Sequence, residues 1–310
     1  MKELDVLLLA KYDYSNVSYL YAKAMRTAGI KAEAWAVKPS PRHYSRHANL
    51  FKSINDDILP LARQARAIQF MHSRRFNAID VRGKFITVFH GGSRYRHAAE
   101  RMNAIFNPIV NKSIIQTGDL FNRDAKNGVW VLPPIETDLI EPRFEMLKSR
   151  LVVAHYPHKT YVKGTETICQ AIESLRNSNW LFNFSDSLVS WEENLDRIGS
   201  CDIYIEAVQP ELREETYGEW GVTALEAAAL GKIVITHFRS YERYLREYGA
   251  CPLIVANNGK QLYAKLKRLL QMSRYEIMYL KKATREWVER NHSLKAVGQR
   301  MKNEVYGEIL

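Results

Sequence analysis

Cysteine is scarce in this chain: Cys169, Cys201 and Cys251 are the only three in 310 residues, odd in number and far apart. This excludes the even framework of a disulfide-stapled secreted domain and the close pairs of a zinc site, so all three are read as reduced packing residues. No apolar run reaches the roughly 20 residues that a membrane-spanning helix needs. The opening Met-Lys-Glu-Leu-Asp passes straight into a short strand without a signal-peptide layout. The expected location is cytoplasmic, with the inner face of a membrane as a peripheral alternative. Also missing are a Gly-x-Gly-x-x-Gly turn, a Walker loop, a Gly-x-Ser-x-Gly elbow and any Cys/His metal-ligand spacing. These absences remove the commonest dinucleotide, NTPase, serine-hydrolase and zinc chemistries. No internal repeat is visible either.

What remains is an ordinary folded composition, 46% hydrophobic and 25% charged, in a chain long enough for two domains. The net charge of +11 is uneven: residues 1–140 carry +9 and residues 141–310 carry +2. A positive field confined to the first part fits an anionic partner, whether nucleic acid, a phospholipid headgroup or a phosphorylated glycan. A basic surface that serves solubility explains the same charge.

Hydrophobic periodicity predicts alternating strands and helices. In the first part, strands are expected at 4–9, 32–37, 67–71, 85–89, 113–116 and 129–132. The helical spacing of Val17, Leu20, Tyr21, Ala24 and Met25 follows the first of them. Residues 38–47, with two prolines and several basic or imidazole side chains, form a loop that suits an acceptor flap or a solvated connection. A linker is placed at about 134–148, around Pro133-Pro134 and Glu141-Pro142. The second part repeats the alternation, with strands at 151–154, 180–184, 202–207, 233–236 and 252–255, and helices at 164–175, 191–198, 241–248 and on to 310. Lys281-Lys282 is read as part of a solvated helix face. The alternation implies α/β architecture with two doubly wound parallel sheets, domains 1–140 and 141–310, and a ligand cleft outside the carboxyl ends of the strands.

The richest segment is Glu215-Thr-Tyr-Gly-Glu-Trp-Gly-Val-Thr-Ala-Leu-Glu-Ala-Ala-Ala-Leu-Gly-Lys-Ile-Val-Ile-Thr236. Gly221 lets backbone approach a ligand, and the free N–H groups that open the next helix favour a diphosphate. Glu226 lies about one and a half turns further on, where a carboxylate suits hydrogen bonding to a neutral diol such as a ribose. Ala227, Ala228 and Ala229 permit close packing on a sheet, and Gly231 suits a C-terminal cap.

This segment resembles the donor motif of the retaining, nucleotide-sugar-dependent glycosyltransferases of the GT-B fold, the group that includes sucrose-phosphate synthases and bacterial mannosyltransferases. The family pattern runs Glu-Gly-Phe-Gly, four residues, Glu-Ala, small residues, then Gly-Lys/Arg-Pro-Val-Ile-Ala. Trp220 takes the place of its Phe, Gly221 of its second Gly and Glu226 of its second Glu. One departure concerns the sugar contact: the family's first Glu falls on Gly218 and its next Gly on Glu219. Either Glu219 reaches the sugar from a shifted loop or that contact is absent.

The resemblance implies two Rossmann-like domains, an N-terminal one for the acceptor and a C-terminal one for the donor, with residues 294–309 crossing back to brace the first. It implies further site residues. His155-Tyr-Pro-His-Lys-Thr-Tyr-Val-Lys163-Gly164 is similar to the family's Gly-Arg-(variable)-Lys-Gly, whose cations clamp the diphosphate. Lys163 and Gly164 match, and Lys159, ahead of His158, substitutes for the missing Arg. Gly221, Val222 and Thr223 would hold the phosphates, with Trp220 beside them. Phe85-Ile-Thr-Val-Phe-His90-Gly91-Gly92 places His90 where the family faces the transferred sugar, so His90 and Glu219 are the catalytic candidates. Arg94 and Arg96 fit an acceptor phosphate or carboxylate, or a solvated helix start. Ser15 and Asn16 stand where the family has a Gly-Gly loop near the acceptor.

The implied activity is transfer of a sugar from a nucleotide diphosphate sugar to a hydroxyl of an anionic acceptor, with retention and with no metal or other cofactor. The acceptor is a phosphorylated lipid or glycan, or a hydroxymethylated base in DNA. The alternative, motivated by Gly218, is an inactive scaffold that binds sugar nucleotide or nucleic acid.

Overall fold

Residues Leu4 to Ala10 are all buried and, Asp5 apart, apolar, a run that suits a strand covered on both faces. In the computed structural model, which describes residues 4–145, 150–175, 180–213 and 215–310, this run is an interior strand of a parallel sheet. The chain divides into two units, Met1–Pro134 with His292–Leu310, and 135–291. Residues 146–148 of the expected linker lie outside the described residues.

The first unit contains β1 (Leu4–Tyr12), β2 (Ala32–Lys38), β3 (Asn49–Leu50), β4 (Ala65–Phe70), β5 (Phe85–His90), β6 (Lys112–Ile115) and β7 (Gly128–Trp130). Their order is β3-β2-β1-β4-β5-β6-β7, with neighbours parallel. Helices α1 (Val17–Thr27), α2 (Leu59–Gln64), α3 (Gly92–His97) and α4 (Ala99–Phe106) connect them. The chain runs outward from β1 through β3, then returns to begin β4 on the other side. The topological switch point therefore lies between β1 and β4, where a doubly wound sheet opens a crevice at its carboxyl edge. The helix Leu294–Arg300 packs on α1 so closely that a Cβ on Gly298 would lie 2.0 Å from the Ala24 carbonyl oxygen. Beyond it, the Tyr306 hydroxyl donates to Gln69 Oε1 at 2.6 Å and bonds Thr87 Oγ1 at 3.0 Å. The last residues are thus part of the first unit.

The second unit contains β8 (Leu151–His155), β9 (Trp180–Phe184), β10 (Ile203–Ala207), β11 (Glu211–Leu212), β12 (Glu215–Thr216), β13 (Ile233–Thr236) and β14 (Ile254–Val255). The main sheet is parallel in the order β14-β13-β10-β8-β9, and β11 and β12 form a small antiparallel pair. Helices α5 (Thr160–Lys163), α6 (Thr165–Glu173), α7 (Trp191–Gly199), α8 (Val222–Ala229), α9 (Tyr241–Tyr248), α10 (Gly259–Leu270) and α11 (Arg274–His292) complete it. Here the switch point falls between β8 and β10.

The principal strands stand where the hydrophobic pattern puts them. The pairs β3 and β11–β12 are unanticipated because two-residue strands carry no periodicity. Lys281, expected on a solvated face, is fully buried: its Nζ donates to Asp202 Oδ1 at 2.8 Å and to the Phe144 carbonyl at 2.9 Å. Tertiary ion pairing overrides the surface preference of lysine there.

Candidate functional site

The loops that leave β8 and β10 flank the switch point of the second unit, and both belong to the segments singled out in the sequence. After β8 the chain makes the single turn α5 and reaches Gly164 at φ +68°, a left-handed conformation that favours glycine. A Cβ on Gly164 would stand 2.3 Å from the Val208 carbonyl oxygen, because the Val208 N–H donates to the Lys163 carbonyl at 2.9 Å. This close approach of the two loops brings the Lys163 ammonium onto Glu206, at the carboxyl end of β10.

Glu206 is 1% exposed, and the same oxygen that meets Lys163 accepts the Gly221 N–H at 3.1 Å. A Cβ on Gly221 would lie 2.9 Å from that oxygen and 3.5 Å from Lys163 Nζ. Burial alone raises a carboxyl pKa. The Lys163 ammonium and the Gly221 N–H outweigh it, so Glu206 lies below its ordinary value and is ionised. Three distant stretches of sequence thus converge on one oxyanion. Lys163 and Gly221 were expected here; Glu206 was not, because a lone carboxylate in a buried strand gives no local signal of its partner.

Two buried histidines fix the surrounding loops. His155, ending β8, donates from Nδ1 to the Ile205 carbonyl at 2.8 Å and accepts from Thr165 Oγ1 at Nε2, 2.9 Å. His237, just past β13, accepts the Gln209 N–H at Nδ1, 3.2 Å, and donates from Nε2 to the Tyr217 carbonyl at 2.8 Å. That second pair ties down both ends of the β11–β12 excursion. Burial pushes each imidazole down to about 4, so both are neutral. Sequence reasoning missed both, although each follows an uninterrupted apolar strand.

Helix α8 opens at Gly221, with Val222 buried and Thr223 half-buried in its first turn. Its alanines lie inside, and its C-terminus closes with Gly231 N–H to Ala228 O and Lys232 N–H to Ala227 O, both 2.9 Å. Glu226 is 2% exposed and its Oε1 accepts the Trp191 indole N–H at 2.9 Å. Lys159 is exposed at the start of α5.

Trp220, expected beside the donor, instead turns inward. It is 5% exposed, with ring centroids 4.4 Å from Phe238, 5.5 Å from Tyr244 and 6.0 Å from Trp287. An indole with such a nest available gains more by burial than by facing a wet loop. Glu219 is buried as well, following Gly218 at φ +47°. A cavity of about 460 Å³ beside Arg143 and Gly199 lies at the amino ends of the strands, the wrong edge for a switch-point ligand.

In the first unit, two expectations need correction. His90 is fully buried, stacked on Tyr95 at 3.8 Å between centroids and bonded through Nδ1 to Ser73 Oγ at 2.8 Å. Burial takes it down to about 3. It is a core residue, not one offered to a sugar. Gly91 makes room for Gln116 and Phe89 rather than for a ligand, since its Cβ would lie 2.1 Å from Gln116 Oε1. Arg96 is 3% exposed and pairs with Asp119 through two bonds, 2.8 and 3.2 Å, with Thr117 Oγ1 at 3.3 Å. This inward pairing leaves it no acceptor to bind.

Arg94 is exposed, its Nε donating to the Ser73 carbonyl at 3.1 Å. Ser15 and Asn16 sit at φ 52° and 58°, the left-handed region that a Gly-Gly loop would occupy without cost. Asn16 is 1% exposed and donates to the Arg46 carbonyl at 2.8 Å, which anchors the 38–47 loop. The N-terminus of α1 is already filled by Asp13, which accepts from Ser18 N at 2.7 Å and Tyr19 N at 3.2 Å. Among the described residues no group of three or more His, Cys, Asp or Glu is placed to hold a metal, and no helix is long and apolar enough to cross a membrane.

No protein-family model matches the chain, and no curated protein does. Solved structures do match, along nearly its whole length. The sucrose-phosphate synthase of Thermosynechococcus elongatus matches with TM-score 0.63 at 12% identity, covering 98% of this chain and 99% of its own. HepE of Anabaena, in complex with UDP-glucose, matches with TM-score 0.68 at 9% identity, covering 97% and 99%. WaaG, a glycosyltransferase involved in lipopolysaccharide biosynthesis, matches with TM-score 0.59 at 14% identity, covering 95% and 98%. The two parallel-sheet units have the GT-B fold of these glycosyltransferases.

Proposed function

We propose that this chain is a glycosyltransferase that moves a sugar from a nucleotide diphosphate sugar to a hydroxyl of an anionic acceptor, with retention and without a metal. One observation carries the reading: Lys163 Nζ and the Gly221 N–H, the two groups expected to hold the diphosphate, already meet at a single oxyanion beside the switch point. The Glu206 carboxylate marks where anionic charge is stabilised. Support also comes from the likeness to HepE and to an α-glucosyltransferase, whose structures hold UDP or UDP-glucose.

In this reading Lys163, with Lys159, neutralises the charge that grows on the leaving diphosphate, and the N–H groups of Val222 and Thr223 supply the partial positive end of α8. Glu226, oriented by Trp191, takes the ribose hydroxyls. His90 is buried away from solvent and, with its imidazolium held to about 3, is a weak base, so the leaving phosphate oxygen takes the proton of the acceptor hydroxyl as the glycosidic bond breaks and the new one forms on the same face.

Calorimetry with UDP, GDP and ADP, free and sugar-linked, tests this. One nucleotide should bind, and Lys163→Met should weaken it about ten- to a hundredfold, the loss of one charge-assisted hydrogen bond. No binding of any nucleotide, or equal binding by the variant, refutes the assignment. A second reading, a GT-B scaffold without turnover, is favoured by the Lys163–Glu206 pair, which neutralises the key cation from within. Nucleotide binding with neither donor hydrolysis nor transfer across a panel of donors would select it.

A further inference from the structure

We propose that the arginines that follow β4 and β5 in the first unit form a binding pocket for the phosphate group of a compact phosphorylated ligand. Arg74, Arg75, Asn77 and Arg94 line a cavity of about 430 Å³ whose opposite wall is the apolar end of α4, with Ile105 and Ile109. No carboxylate lines it, and among the described residues none pairs with Arg74, Arg75 or Arg94. This contrasts with Arg96 on the same helix, which Asp119 neutralises completely.

The chain builds the pocket deliberately. His72 and Ser73 both take φ 53°, turning the backbone sharply as it leaves β4, and Arg94 Nε fastens to the Ser73 carbonyl at 3.1 Å. Non-glycine residues in that region cost about 1 kcal/mol or more each, so two in succession mark a turn that the surroundings impose. Partial burial and the charges of Arg74 and Arg101 hold the Arg94 guanidinium below its usual pKa. Guanidiniums that crowd one another stabilise a multivalent oxyanion placed among them, and their planar forks match phosphate oxygens. The Ser73–Arg75 turn and Arg94 follow the carboxyl ends of β4 and β5, beside the β1/β4 switch point, while the Ile105–Ile109 wall comes from the end of α4 that leads back to β6.

Its shape favours a compact phosphate ester over a nucleic-acid duplex. The arginines converge on one cavity instead of spacing out along a strand. The Ile105–Ile109 wall suits the carbon skeleton of a sugar or lipid headgroup, whereas a duplex backbone offers it nothing apolar. As the acceptor subsite of a transferase the pocket rests on the reading above; as a phosphate pocket it does not.

The test uses the full chain and three probes: inorganic phosphate, vesicles of phosphatidylglycerol, and a 20-base-pair duplex. Phosphate titrated into arginine-Nε-labelled protein should shift the resonances of Arg74 and Arg94. The triple variant R74Q/R75Q/R94Q should lose binding at least tenfold, with unchanged circular dichroism and unchanged UDP affinity. R75K should retain most of the affinity. Lys163→Met, which disables the other anion site, should keep the phosphate shifts. Binding of free phosphate assigns a soluble phosphorylated ligand; vesicle binding lost in the triple variant assigns a headgroup; either supports the pocket. Equal phosphate binding by the triple variant overturns the proposal. So does duplex binding alone, with a steep salt slope that the arginines control. Loss of UDP binding with intact phosphate shifts would sink the transferase reading and leave the pocket standing.

Discussion

Acid should dismantle both units, and the buried histidines set the pH. His90 and His292 in the first unit and His155 and His237 in the second are at most 1% exposed. Burial pushes His90 and His292 to about 3, and His155 and His237 to about 4, from an ordinary 6.5. The unfolded chain therefore takes up these protons first. The stability the neutral imidazoles contribute is present above pH 6.5 and is lost as pH falls toward their folded values. At pH 5.5 each costs roughly 1.4 kcal/mol, so each unit loses roughly 3 kcal/mol relative to pH 7.5. At pH 4.5 the loss is roughly 5 kcal/mol per unit, comparable to the whole stability of a marginal domain.

Asp13 works the other way in the first unit. Burial raises it to about 6 from 3.8, so its contribution is present below 3.8 and is lost as pH rises through 6. Acidification to pH 5.5 returns only roughly 0.8 kcal/mol. His72, half-buried and also held down to about 4 by burial, adds to the first unit's loss. Urea titrations followed by tryptophan fluorescence and far-ultraviolet circular dichroism at pH 7.5 and 5.5 should give midpoints lower by about 1 M at the acid pH. His90→Phe keeps the stack on Tyr95, removes one titrating ring and should shrink the first unit's loss by about 1.4 kcal/mol. Midpoints indifferent to pH, or a variant with the wild-type pH dependence, would refute the reasoning.

Lys163→Met should destabilise the second unit by about 3–5 kcal/mol by stranding the buried Glu206 charge, and adding Glu206→Gln should restore much of it; denaturant titrations of both variants and the wild type measure this. Gly164→Ala, with its Cβ driven to 2.3 Å from Val208 O at a positive φ, should cost upward of about 2 kcal/mol, read as a fall in melting temperature. Trp220→Ala should cost roughly 3–5 kcal/mol by emptying the aromatic nest. A milder Trp220→Phe that keeps nucleotide affinity would confirm that the indole serves packing and not the ligand.

Much of this molecule was legible before its coordinates. The strand sequence and the parallel α/β architecture follow from local patterns, and the family resemblance implied the pairing of Lys163-Gly164 with the Gly221 helix. Apolar runs, glycines at turns and helix starts are dictated within a few residues of chain. Even the left-handed backbone of Ser15 and Asn16 fits the place where a Gly-Gly loop was expected.

What the chain alone could not decide was which way a side chain turns once segments far apart in sequence meet. Arg94 and Arg96 are two residues apart and look alike, yet Asp119 claims one and leaves the other beside Arg74. His90 and Trp220 sit at motif positions, but Tyr95 and the Phe238–Tyr244–Trp287 nest give each a better environment inside. Glu206 became visible as a site residue only when two loops closed on it. Local sequence sets backbone conformation because torsional and hydrophobic preferences are short-ranged. The pairing of charges and the filling of interiors are settled by neighbours that only the tertiary fold supplies.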